Sequence, residues 1–80
     1  SMILVEVKPR DDGRYDIYVS EDGEPYVNSS QGYENVEDAE RIARKLFAGP
    51  AFSMGGEQIT PPVTLRTKYR TGQTKTEQLR

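Results

Sequence analysis

A single stretch of this chain has helical spacing. Val36, Ala39, Ile42, Ala43, Leu46 and Phe47 recur so that they fall on one face of a helix. A helix of about twelve residues is marginal in water unless its apolar side is buried. The rest of the chain alternates like β-strands or shows no periodicity, so the only surface available to cover that side is a sheet. Asn35 is the expected N-cap, and Gly49-Pro50 the expected stop. Glu37, Asp38 and Glu40 at the start and Arg41, Arg44 and Lys45 at the end complement the helix dipole. Glu37/Arg41 and Glu40/Arg44 are four apart and are expected to pair along the helix.

Three strands are expected before the helix. Ile3, Val5 and Val7 alternate with Leu4, Glu6 and Lys8, and Pro9 closes the run. Asp11-Asp12-Gly13 is a turn signal. Tyr15, Ile17 and Val19 then share one face and leave Asp16 and Tyr18 on the other. After the turn at Glu21-Asp22-Gly23-Glu24, Pro25 to Asn28 reads as a short edge strand. Residues 48–62 are rich in Gly and Pro and read as a long loop.

Alternation resumes beyond the loop, with Val63, Leu65, Thr67 and Tyr69 on one face and Thr64, Arg66, Lys68 and Arg70 on the other. A three-residue loop of Arg70, Thr71 and Gly72 pairs Tyr69 with Gln73 and sets Val63 opposite Leu79. A two-residue turn would set Leu79 opposite Thr64, on the polar face, so the longer loop is preferred. The expected architecture is one small α+β domain over residues 1–80. It consists of a mostly antiparallel sheet in the order β-β-β-α-β-β, one helix across a face and a C-terminal hairpin at 63–80. Ser1 before Met2 reads as a remnant of tag removal. Tyr15 and Tyr69 follow the inner pattern, while Tyr18, Tyr26 and Tyr33 stay open between packing and contact.

Composition narrows the chemistry. With 80 residues, 34% hydrophobic and without Cys, His or Trp, the core is thin and unstapled, and self-association is a natural route to more burial. Without Cys or His there is no thiol nucleophile, no Cys/His zinc site and no Ser–His pair, so a non-catalytic protein without a cofactor is expected. Asp11, Asp12, Asp16, Glu21, Asp22 and Glu24 crowd together, but they lack the spacing of an EF-hand loop, and no metal site is assigned. Gly55-Gly56 is not followed by Lys-Ser/Thr, so the Walker phosphate loop is absent. The apolar run Met2 to Val5 is too short for a signal peptide or a membrane span, and the expected location is the cytoplasm.

The net charge of −2 hides an asymmetry: residues 1–40 carry 3 basic and 11 acidic side chains, and residues 41–80 carry 8 and 2. One candidate surface follows from it. Arg66, Lys68 and Arg70 project together, with Lys75 and Arg80 on the partner strand, as a basic ribbon for nucleic acid or another polyanion. A pI near 5.1 and interleaved threonines in place of aromatic side chains favour a merely solvated face. The second candidate is the loop bearing Phe52, Met54 and Ile59, which either folds back as a lid or, with Tyr33, meets a protein partner. The functional expectation is a non-catalytic interaction module that binds a protein or itself, acidic half to basic half. Polyanion binding is the alternative.

Asp12-Gly13-Arg14-Tyr15-Asp16-Ile17-Tyr18-Val19, the Asp22-Gly23 turn and Ser29-Ser30-Gln31-Gly32-Tyr33, leading into a helix with Ala39 near its start, together resemble the YegP-like family of small domains. The resemblance covers about residues 3–47 and implies a three-stranded antiparallel meander followed by a helix. It implies no catalytic residue, the family being of unknown function. The whole chain, through its Arg-Thr-Gly-Gln-Thr-Lys-Thr-Glu-Gln-Leu-Arg end, also resembles small uncharacterised proteins of actinobacterial phages. The chain departs from the YegP pattern in having one unit followed by a long loop and an extra hairpin, where the family often has two tandem units.

Overall fold

The computed structural model describes residues 2–25, 30–47, 52–54, 57–59 and 61–80. The elements in chain order are β1 (Ile3–Pro9), β2 (Tyr15–Glu21), β3 (Glu24–Pro25), β4 (Ser30–Tyr33), α1 (Val36–Phe47), β5 (Phe52–Met54), β6 (Glu57–Ile59), β7 (Val63–Lys68) and β8 (Thr74–Gln78). The main sheet runs β3-β2-β1-β7-β8, and β4 also lies along β2. This is an α+β fold. Its sheet is mixed: β1 and β7 run parallel, with Val5 beside Leu65, and the other pairings are antiparallel.

Turn chemistry sets the registers. Arg10 donates its amide to the Arg14 carbonyl at 2.7 Å, and Tyr69 donates to that of Gln73 at 2.9 Å. Each pair closes a three-residue loop whose last member is glycine at positive φ, Gly13 at 98° and Gly72 at 91°. In the C-terminal hairpin, Leu79 donates its amide to the carbonyl of Val63 opposite, as the three-residue loop requires. Asp22 and Gly23, both at positive φ, form the tighter two-residue turn between β2 and β3.

One face of the sheet is apolar and covered. Ile3, Val5, Val7, Tyr15, Ile17, Val19, Val63 and Leu65 are buried there against Ala39 and Ala43 of α1. Two alanines one turn apart let the helix axis approach closely. Asn35 caps the helix, its Oδ1 accepting the Asp38 amide at 2.9 Å.

The structure corrects the expected helix face. Leu46 is 58% exposed, whereas Glu40 is 6% exposed and packed toward the sheet. The line that meets the sheet carries Ala39, Glu40 and Ala43, with Val36, Ile42 and Phe47 partly buried beside it. The expected pairs along the helix are replaced as well. Arg41 lies 3.7 Å from Asp38, and Arg44 and Glu40 each turn to the C-terminal hairpin.

Two segments add strands to the expected order. The third strand begins at Glu24–Pro25; residues 26–28 of its expected range, Tyr26 included, lie outside the described residues. The additional strand β4 pairs with β2 through Tyr15↔Tyr33 and Ile17↔Ser30. Within the expected loop at 48–62, β5 and β6 pair antiparallel as a separate two-stranded sheet.

Candidate functional site

The helix covers one face of the sheet, and the other carries the residues left over by strand alternation. There, Glu6, Lys8, Arg66, Lys68 and Thr74 line a half-open cavity of ≈ 390 Å³. The parallel pairing sets Glu6 beside Arg66. Arg66 donates to Glu6 Oε2 from Nη2 at 2.6 Å and from Nε at 3.2 Å. Lys8 Nζ lies 3.7 Å from Glu6 Oε1 and 5.3 Å from the centre of the Tyr18 ring.

The expected basic ribbon is thereby corrected. Arg66 and Lys68 do share this face, but Lys75 does not. In the register Thr67↔Lys75, Lys75 has the phase of buried Thr67, so it points to the helix side. Arg70 belongs to the loop, and its guanidinium sits 5.6 Å from the Tyr15 ring centre. The Arg80 Nε donates to the Pro61 carbonyl at 3.3 Å. Lys68 is the one member of the predicted set Arg66, Lys68, Arg70 and Lys75 without an ionic or aromatic partner among the described residues. Acids of the first half neutralise cations of the second: Glu6 meets Arg66 and Glu40 meets Lys75. The charge asymmetry of the sequence is spent partly within the molecule.

Two buried carboxylates organise the rest. On the open face, Asp16 accepts the Gly32 amide at 2.8 Å and the Tyr18 hydroxyl at 3.2 Å, with Arg10 Nη1 at 3.5 Å. Burial, and then this hydrogen bond to a carboxylate, holds the Tyr18 phenol above its ordinary pKa. On the covered face, Glu40 Oε2 accepts the Thr67 hydroxyl at 2.7 Å and the Tyr69 hydroxyl at 3.2 Å, with Lys75 Nζ at 3.5 Å. The charge of Glu40 is the main cause raising the Lys75 pKa. Beside it, Arg44 grips Glu77 with both Nε and Nη2, at 2.9 and 2.8 Å. That grip holds the Glu77 carboxyl below the ordinary range and the Arg44 guanidinium above its own.

Sequence reasoning missed Asp16 and Glu40 as structural centres. Asp16 lay at an outward strand position, and Glu40 looked like part of the acidic helix start. The available signal for Glu40 was its place four after Val36 and three before Ala43, within the stripe. Among the described residues, no buried side-chain N or O atom lacks a hydrogen-bond partner, and no three acidic side chains gather to hold a metal ion.

Of the residues expected to meet a partner, Tyr33 is half-buried against the core. Phe52, Met54 and Ile59 are described in their backbone pairing only: Phe52↔Ile59 and Met54↔Glu57. Directly paired and alternate positions lie on one side of a ribbon, so 52, 54 and 59 have the same pleat phase. No described helix is long and apolar enough to cross a membrane. No family model, curated protein or solved structure matches the chain.

Proposed function

We propose that the chain is a non-catalytic interaction module, acting in the cytoplasm on a protein partner through the β5–β6 ribbon. A phage gene product of YegP-like ancestry that engages a host or phage protein is the setting we favour. One observation carries the reading: among the described residues β5 and β6 pair with each other and with no strand of the main sheet, while their register gives Phe52, Met54 and Ile59 one pleat phase, shared with Glu57. A two-stranded ribbon is marginal by itself, and three apolar positions in one pleat phase suit a contact surface. Capture from a lysate of the native host, with and without nuclease, tests this. The expected result is a nuclease-resistant protein that is lost with Phe52→Ala/Met54→Ala. Retention of every captured protein by the double variant would remove the ribbon as the site.

A second reading rests on Lys68, which shares the cavity with Lys8 and Thr74 and has no ionic partner among the described residues. It is polyanion binding by the open face. Affinity for a single-stranded oligonucleotide would then fall steeply with salt and weaken in Lys68→Glu. Absence of binding at low salt would dispose of it.

A further inference from the structure

We propose that β8 is a self-recognition edge, on which a second copy of this chain adds its own β8 antiparallel about a two-fold axis through Thr76. This deepens the interaction-module reading by naming one partner and its register.

Among the described residues, β8 pairs with β7 alone and forms one edge of the main sheet. Exposed edges are ordinarily blunted by proline, a bulge or projecting charge. β8 is Thr-Lys-Thr-Glu-Gln, paired with β7 in unbroken register from Thr64↔Gln78 to Lys68↔Thr74, with no positive φ inside it. Its two charges are held toward the helix side, Lys75 by Glu40 and Glu77 by Arg44. The guard on this edge is that charge pair, which admits only a strand that answers each charge with its opposite.

The hydrogen-bond phase fixes which groups are offered. Tyr69 donates to the Gln73 carbonyl and Leu79 to that of Val63, which sets the hydrogen-bonding phase at 69/73 and 63/79, and bonded pairs alternate along an antiparallel ladder. Lys75 and Glu77, which share that phase, therefore spend their backbone groups on β7. Thr74, Thr76 and Gln78 direct theirs outward.

A closed dimer of identical strands must be antiparallel, with its axis through one residue. Charge then selects the register. An axis at Lys75 sets lysine against lysine, and one at Glu77 sets glutamate against glutamate. An axis at Thr74 runs the pairing into the Arg70-Thr71-Gly72 loop. With the axis at Thr76, Thr76 bonds to the partner's Thr76, and Thr74 bonds to the partner's Gln78. Lys75 then faces the partner's Glu77, and the symmetric pair repeats it. Charges alternate in sign across the seam, from Glu40 to Lys75 to the partner's Glu77 and on to the partner's Arg44. Both helices fall on one side of the joined sheet, and the two open faces become continuous on the other.

The test uses the full chain. Light scattering across a concentration series is expected to show a dimer. Thr76→Pro, which removes an outward amide that β7 does not use, is expected to raise its dissociation constant at least ~10-fold, with the circular dichroism of the fold unchanged. Because the chain has no cysteine, Thr76→Cys supplies a second readout that does not depend on tolerance of proline. It is expected to form an interchain disulfide under mild oxidation, while Glu24→Cys on the opposite edge does not. A monomer at all concentrations, a dimer indifferent to Thr76→Pro, or equal cross-linking at both positions would overturn the proposal. A monomer that still captures a protein through the ribbon would overturn the dimer alone. A Thr76-dependent dimer without any captured protein would leave the dimer standing and remove the ribbon reading.

Discussion

Asp16 and Glu40 are built alike and used differently. Each is 6% exposed. Each accepts one short bond from an uncharged donor and one from a tyrosine hydroxyl at 3.2 Å, and each has a cation at 3.5 Å. Asp16 spends its short bond on a backbone amide of β4, a strand that lies on the edge of β2. Glu40 spends all three on side chains of the C-terminal hairpin, 27 to 35 residues away in the chain, and so ties the helix to β7 and β8. A chain with 34% hydrophobic residues has little apolar surface with which to dock separate segments. Here satisfied carboxylates do part of the docking, one for an edge strand and the other for the core.

Glu40 carries the larger share of stability of the two carboxylates. Glu40→Ala strands the hydroxyl of fully buried Thr67 and releases Lys75. The expected cost is about 2–3 kcal/mol in chemical denaturation, with loss of amide protection throughout the main sheet. Glu40→Gln retains an oxygen acceptor and is expected to lose less. Equal losses for the two variants would mean that Lys75 dominates the site rather than the hydrogen bonds.

Asp16→Ala is expected to cost about 1–2 kcal/mol and to act locally. Faster amide exchange should appear first at Gly32, while Val5 and Leu65 stay protected until global unfolding. If all three amides accelerate together, Asp16 belongs to the same cooperative unit as Glu40 and the contrast fails. Gly32→Ala probes the same strap from the backbone. Gly32 has φ +73°, and a Cβ there would meet Arg10 Nη1 at 3.3 Å. A loss of about 1 kcal/mol is expected in thermal melts, again with the core amides unaffected.

The contrast also shows where sequence stops being informative. Local rules gave the right answer at the helix cap and at the turns. Asn35 caps its helix, Asp22-Gly23 turns tightly, and the wish to keep Leu79 off the polar face selects the three-residue loop. Parity along that hairpin also determines the side of Lys75, although charge alone suggested the basic face. Asp16 and Glu40 were illegible for a physical reason. A carboxylate is buried only if donors converge on it, and all of those of Glu40, with the Gly32 amide at Asp16, arrive from other segments. Strand β4 was hidden for a related reason: Ser30-Gln31-Gly32-Tyr33 has no apolar alternation and is recruited through the bulged pairing with β2 and the amide of Gly32.

The smallest effect lies at the surface. Glu77 sits beside the Glu40 cluster but is 36% exposed, and its partner Arg44 is 39% exposed. The hydrogen bonds from Arg44 lower the Glu77 pKa below its value in the unfolded chain. Folding therefore gains from this pair above the ordinary glutamate range, and that gain disappears as pH falls through the depressed folded value. Solvent screening at this exposure limits the contribution to about 0.5 kcal/mol. Glu77→Gln should lower stability slightly at neutral pH and converge with the parent in acid, measured as denaturation midpoints across a pH series. A constant gap between the two at every pH would show that Glu77 acts through packing rather than charge. Arg44 would then hold the hairpin by its aliphatic stem, leaving Glu40 as the charged tie between helix and sheet.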